Sequence, residues 1–60
     1  MKLSNIHNKL INREYNKMIE YIHEYGNTFW NDYFLFLLKL YPTDKSASIY
    51  SDTIKFYFNI

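Results

Sequence analysis

Residues 28–41, Thr-Phe-Trp-Asn-Asp-Tyr-Phe-Leu-Phe-Leu-Leu-Lys-Leu-Tyr, decide the expected fold, and Pro42 follows them directly. Ten of these fourteen side chains are large and apolar or aromatic. At about 100° per residue they cover roughly two-thirds of a helix, far more than the ~100° stripe of an ordinary surface helix. Thr28 is placed to cap the first turn, and Pro42 ends helical geometry near Tyr41. The pattern predicts a central helix over 28–41, which is shorter than the ~20 residues that a bilayer span needs.

This apolar arc is wider than one packing partner requires. The stripe that we expect to face the core consists of four residues, Trp30, Phe34, Leu37 and Tyr41. Phe29, Leu35 and Phe36 lie outside this stripe when the helix is drawn as a wheel. They are either covered by the C-terminal segment or exposed to a partner, and the sequence leaves both alternatives open.

The segment before the central helix predicts one long amphipathic helix over about 5–25. Its apolar stripe alternates in steps of four and three residues: Ile11, Tyr15, Met18, Ile22 and Tyr25. Gly26 follows as the glycine expected in left-handed geometry after a helix. Since Gly26 and Asn27 form a short link, the two helices should make a hairpin. Ile6 and Leu10 fall away from the stripe, so the first turns are expected to pack differently.

The C-terminal segment changes its period. Ile54, Phe56, Phe58 and Ile60 alternate with other residues, which is typical of a half-buried strand. A turn at 51–52 would then fold 47–50 back as a second strand. A competing helical spacing also exists through Ala47, Tyr50, Ile54 and Tyr57. We therefore predict a single α+β domain over 1–60, a helical hairpin covered by a C-terminal β-hairpin or strand, with an all-α three-helix bundle as the alternative.

Composition limits the class of protein. The chain has 60 residues, a net charge of +1 and no cysteine, which excludes disulfides and thiolate metal sites. Thirteen aromatic residues are the expected source of core area instead. Residues 1–11 lack the apolar run of a secretory signal, so we expect a cytoplasmic protein. Asn, Ile, Lys, Tyr and Phe supply 32 of the 60 residues and have AT-rich codons, which associates the gene with a low-GC bacterium or its phages.

No arrangement of polar residues predicts catalysis. Glu20, His23 and Glu24 share a helix face with the carboxylate–histidine spacing of bundle metal sites, but such sites need a second copy that faces inward. His7 lies on the apolar side and has no visible acid–base partner. One glycine provides no phosphate-binding loop. We expect a protein that is not an enzyme and that holds no metal or cofactor.

A basic ridge gives the alternative function. Lys9, Arg13 and Lys17 recur every fourth residue beside Asn12, and asparagine can recognise adenine edges. Such a helix face would suit a nucleic-acid-binding regulator. Glu20 and Glu24 continue the same face with the opposite charge, however, and the net charge is small.

The surplus apolar surface predicts a protein-binding module, because interface cores favour aromatic and apolar side chains. The expected partner-binding residues are Phe29, Leu35, Phe36, Ile54 and Phe56. The partner would be a larger host protein, as for a phage or mobile-element inhibitor of a host enzyme or defence system, or a second copy in a self-associating homodimer. A membrane partner is not expected, since the central helix lacks a basic polar face.

Overall fold

Four helices make up the chain in the computed structural model, which describes residues 2–59. They are α1 (Leu3–Ile11), α2 (Tyr15–Tyr25), α3 (Phe29–Leu40) and α4 (Thr43–Phe58). Together they occupy 83% of the described residues, and no strand forms between residues 2 and 59. The predicted α+β fold with its C-terminal β-hairpin is therefore wrong, and the protein is an all-helical small domain. Ile60, the last residue of the predicted strand, lies outside the described residues.

The expected helix over 5–25 is in fact two helices, so the three-helix alternative also has the wrong number of elements. Arg13 adopts φ 61°, the left-handed conformation, and stops α1. The amide of Glu14 donates to the Lys9 carbonyl at 2.9 Å, and the amide of Arg13 donates to the Leu10 carbonyl at 3.1 Å. This pair of bonds is the Schellman motif, which usually has glycine where Arg13 stands. Lys9 Nζ and Glu14 Oε2 close the same turn with an ion pair of 3.3 Å.

The break resets the phase of the apolar pattern. In α1 the buried residues are Ile6 and His7, and Leu3 and Leu10 pack against the core beside them. Their spacing of three, four and seven residues makes one helical face. Ile11, which the continuous helix placed in the stripe, is 58% exposed. The misfit of Ile6 with the long stripe was therefore the signal of the break.

The link between α2 and α3 is made by backbone geometry. Gly26 has φ 107° and ψ −167°, a region that is essentially reserved for glycine. It differs from the left-handed helical conformation that the sequence predicted. Thr28 has helical dihedrals and its side chain makes no capping bond, so the expected cap is also wrong. The amide of Phe29 instead donates to the Gly26 carbonyl at 3.2 Å.

Helix α3 faces the core with a different stripe from the predicted one. Phe29, Tyr33 and Leu37 have no exposed surface. At about 100° per residue this stripe is rotated by roughly 70° from the one through Trp30 and Phe34. Phe29 stacks on Tyr33 with ring centroids 5.0 Å apart and planes at 18°. The rotation moves Trp30 and Phe34 to half-buried positions at the flank.

Helix α4 packs on α3 through two hydroxyl residues. Ser46 and Thr53 have no exposed surface. The Ser46 hydroxyl donates to the Leu37 carbonyl at 3.0 Å, and the Thr53 hydroxyl donates to the Ile49 carbonyl at 2.9 Å. Two core positions of α4 are polar, so a count of apolar residues shows only part of its buried face. The strand was predicted from the alternation of apolar residues over 54–60, although a helical spacing competed with it, and tertiary packing decides for the helix.

The helices form two hairpins, α1–α2 and α3–α4, that pack on each other through α1 with α3 and α2 with α4. The shared core contains six fully or almost fully buried apolar residues: Ile6, Met18, Ile22, Phe29, Tyr33 and Leu37. The radius of gyration is 10.5 Å, close to the roughly 10 Å expected of a compact chain of this length. Three of the six residues belong to α3, so α3 is the central element.

Candidate interaction surface

The side of α3 that points away from the core carries apolar residues that residues 2–59 leave partly exposed. Leu35 is 59% exposed and Leu38 is 37% exposed. Asn31 lies one turn before Leu35 on the same side and is also exposed. Asp32 is half-buried and Lys39 is exposed. These five residues are called the open face of α3 below.

The structure separates the five predicted partner-binding residues. Leu35 alone is part of the open face. Phe29 is fully buried in the core, so it is unavailable to a partner. Phe36 is half-buried and meets the His7 ring edge-on, with centroids 5.8 Å apart. Ile54 is half-buried, and Phe56 stacks on Tyr15 with centroids 4.0 Å apart and planes at 19°. Much of the apolar surplus is therefore covered within the chain by α1 and α2.

Beside the open face lies a shallow depression of about 260 Å³. It is lined by Leu3, Tyr25, Asp32, Leu35, Phe36 and Lys39. At one end the Tyr25 hydroxyl donates to Asp32 Oδ2 at 2.7 Å. This hydrogen bond to a carboxylate raises the pKa of Tyr25, with burial as a smaller cause. The bond ties the end of α2 to α3 and holds the Asp32 carboxylate at the edge of the depression.

Sequence reasoning missed further exposed apolar residues. Leu40 is 55% exposed and Phe58 is 66% exposed. Phe58 stacks on Trp30 with centroids 6.0 Å apart and planes at 20°. The exposure of Leu40 was missed because the core stripe was placed at the wrong angle. The signal that could have corrected it is Phe29, whose position before Tyr33 and Leu37 gives an equally good helical stripe.

The basic ridge is not continuous in the folded chain. Lys9 belongs to α1, Asn12 and Arg13 belong to the turn, and Lys17 belongs to α2. The single-helix spacing that would align them therefore does not apply. Lys9 is paired with Glu14, which lowers the positive charge of this region. Asn12, Arg13 and Lys17 are exposed, and the last two border one depression together with Glu14.

His7 sits in a buried chain of hydrogen bonds. Its Nδ1 lies 3.3 Å from the Tyr33 hydroxyl and its Nε2 lies 2.7 Å from the Tyr41 hydroxyl. The Tyr33 hydroxyl also lies 3.3 Å from Thr53 Oγ1. Since Thr53 donates its only proton to the Ile49 carbonyl, Tyr33 donates to Thr53 and accepts from His7 Nδ1–H. Tyr41 then donates to His7 Nε2, and every contact is a hydrogen bond.

Burial controls the titration of this chain. His7 is 5% exposed, and the loss of water around it lowers its pKa from 6.5. Burial also raises the pKa of Tyr33 to about 12. Both ring nitrogens of the neutral His7 are already engaged, one as donor and one as acceptor. The residue connects α1 to α3.

A groove of about 420 Å³ opens beside His7 and Tyr41. The ammonium of Lys45 lies over the Tyr41 ring at 5.0 Å from its centroid. Arg13 and Asp52 also border the groove, between apolar side chains. The hydrogen-bonded pair of His7 and Tyr41 also lines the groove. Within residues 2–59 there is no group of three or more histidine or carboxylate side chains close enough to hold a metal ion.

None of the helices between residues 2 and 59 is both long and apolar enough to cross a membrane. Comparison of the sequence with protein-family models, with curated proteins and with solved structures finds no match.

Proposed function

We propose that the protein is a small protein-binding module that acts through the open face of α3. The observation that carries this proposal is Leu35, which is 59% exposed in the middle of the helix whose opposite side forms the core. Leu38 extends the apolar surface along the same side. Full burial of one leucine side chain contributes about 1.5–3 kcal/mol, and the exposed fractions of Leu35 and Leu38 together amount to about one such side chain.

The chemistry of the open face suits a protein partner. Its apolar centre is flanked by an amide, a carboxylate and an ammonium group, contributed by Asn31, Asp32 and Lys39. Interfaces commonly have this arrangement of an apolar core and a polar rim. Because the composition associates the gene with a low-GC bacterium or its phages, we further propose that the protein is a cytoplasmic module that inhibits a host enzyme or defence system.

The test compares three tagged proteins in capture from a low-GC bacterial lysate. They are the wild type, L35D and I11D. Ile11 is 58% exposed and lies on α1, so I11D matches the exposure and chemistry of L35D at a different surface. A true partner is retained by the wild type and by I11D and is lost with L35D. The partner is then purified and its affinity for the three proteins is measured by calorimetry.

Far-ultraviolet circular dichroism is recorded for each variant, so that lost binding is not confused with lost helix. A captured protein that binds L35D as tightly as the wild type contradicts the use of the open face. Nucleic-acid binding through Lys9, Asn12, Arg13 and Lys17 stays a prediction. Its test is the salt dependence of DNA binding, which is steep when phosphates are neutralised and flat when they are not.

A further inference from the structure

The open face of α3 carries its two charged residues in a symmetric arrangement. Asp32 and Lys39 are seven residues apart, which is close to two helical turns, so they lie on the same side of α3. The point midway between them along the helix falls between Leu35 and Phe36. At 1.5 Å per residue, each charge is roughly 5 Å from that midpoint.

This spacing makes the face complementary to itself. We propose that two copies of the chain form a homodimer in which the α3 helices pair antiparallel, with the two-fold axis passing between Leu35 and Phe36. Asp32 of each copy then meets Lys39 of the other, and both ion pairs form at once. A parallel pairing would place Asp32 against Asp32 and Lys39 against Lys39, so the charges select the antiparallel orientation.

The apolar centre follows the same symmetry. A two-fold axis perpendicular to both helices keeps each residue on its own flank of the contact, so Leu35 meets Leu35 of the other copy and Phe36 meets Phe36. Leu35 and Phe36 both line the depression of about 260 Å³. Each protomer thus contributes the same apolar patch, as in an isologous interface. The inference rests on the proposed function, because it uses the same face, and it adds the identity of the partner.

The size of the face sets the expected affinity. A standard interface covers ~800 Å² per partner, which would be about a fifth of the 4191 Å² surface of this protein. One helix face and its neighbouring depression cover less than that. We therefore expect a dimer with a dissociation constant in the micromolar range, measured by sedimentation equilibrium between a few and several hundred micromolar.

The first test is K39D, since Lys39 is exposed and its substitution leaves the core unchanged. Two attractive pairs become repulsive in the dimer, so its dissociation constant should rise at least about tenfold at low salt. High salt should reduce the difference between the dissociation constants of the wild type and K39D, because salt screens charges that are accessible to solvent. K17D is the matched control. It makes the same change of charge on the exposed surface of α2 and should leave dimerisation unaltered.

The second test mixes two variants that should not self-associate. K39D has carboxylates at positions 32 and 39, and D32K has ammonium groups at the same two positions. An equimolar mixture restores both ion pairs between unlike chains, so it should form a heterodimer although neither variant forms a homodimer. Circular dichroism checks D32K, which loses the hydrogen bond from Tyr25. If D32K does not fold, the K39D result and its salt dependence decide the matter.

Three results would overturn the homodimer. They are a wild type that stays monomeric at several hundred micromolar, a K39D variant that dimerises as well as K17D, and a folded pair of variants whose mixture stays monomeric. The first of these leaves the proposed function intact if L35D still loses a captured partner. If L35D keeps both its dimer and its partner, the open face itself is excluded.

Discussion

Replacement of Tyr33 by phenylalanine tests the buried chain that connects three helices. The substitution Y33F removes one hydroxyl and keeps the ring, which stacks on Phe29. That hydroxyl contacts His7 Nδ1 and Thr53 Oγ1, each at 3.3 Å. The change therefore removes hydrogen bonds between α3 and both α1 and α4 without a change in apolar packing.

The expected cost at neutral pH comes from the group left without a partner. In Y33F the N–H of His7 Nδ1 has no acceptor, and a buried unsatisfied group costs about 1–3 kcal/mol. Thr53 is affected less, because it still donates to the Ile49 carbonyl. We expect a loss of about 2 kcal/mol. That is a large share of the stability of a domain this small, whose core supplies roughly 3–5 kcal/mol.

Alkaline pH should reduce the difference in the free energy of unfolding between the wild type and Y33F. The pKa of Tyr33 is raised from 10.0 to about 12, so the folded state keeps a proton that the unfolded state loses. Its contribution to stability is complete below pH 10 and is lost as the pH rises towards 12. The full shift in the pKa of Tyr33 corresponds to about 3 kcal/mol of stability, and about half of this stability is lost at pH 11. The wild type loses this contribution and Y33F has none to lose.

Urea unfolding at pH 8, 10 and 11, followed by Trp30 fluorescence and circular dichroism, measures both stabilities. The difference between wild type and Y33F should narrow by about 1.4 kcal/mol between pH 8 and pH 11. Y15F is the control, because Tyr15 is half-buried and stacks on Phe56 outside the chain of hydrogen bonds. A difference that stays constant across this range would refute the burial of the Tyr33 hydroxyl, and with it the hydrogen-bond chain.

Three further predictions concern single positions. Because burial lowers the pKa of His7 from 6.5, the unfolded state binds a proton at a pH where the folded state does not. The free energy of unfolding should therefore fall as the pH drops below about 6.5, by up to ~1.4 kcal/mol per pH unit. This loss should be absent in H7Q. R13G should raise the melting temperature by several degrees, which corresponds to a gain of about 0.5–1 kcal/mol in the free energy of unfolding. The reason is that glycine adopts φ 61° without strain, whereas the alanine of the control variant R13A does not. G26A should lower the free energy of unfolding in urea by about 1–3 kcal/mol, because an alanine is strained at φ 107° even though its Cβ would meet no atom within 4 Å. The control is N27A at the exposed neighbouring position, which should change the free energy of unfolding by less than about 0.5 kcal/mol. Equal effects of the two substitutions would contradict this explanation.

The ends of α3 could be predicted from sequence, and its orientation could not. Pro42 limits the helix in advance, and Tyr41 has the extended dihedrals that a following proline imposes. The rotation depends on which side chains find polar partners inside the core. Tyr33 is fully buried because its hydroxyl accepts from His7 and donates to Thr53, and these residues are 26 and 20 positions away in the chain. No local pattern reports such a pairing.

The two larger errors have the same origin. Arg13 ends α1 in a conformation that glycine usually provides, so the residue type gave no warning of the break. Ser46 and Thr53 fill core positions where apolar residues are expected, so the period of α4 was hidden. Ser46 and Thr53 satisfy their hydroxyl groups within the fold, so periodicity, which counts apolar side chains only, understates the buried face of α4. At Arg13 the feature that the apolar pattern does not report is the backbone conformation.

The buried polar chain and the open face of α3 are physically connected through the rotation of this helix. With Trp30 and Phe34 in the core, as the apolar pattern alone suggests, Phe29 and Phe36 would point outwards. The bonds of Tyr33 to α1 and α4 fix the other orientation, in which Phe29 is sealed, Phe36 is half-buried and Leu35 stays exposed. Fully satisfied buried networks restrict a core to one arrangement. Y33F should therefore weaken binding at the open face by more than its distance from that surface suggests, because the network sets which side of α3 a partner meets.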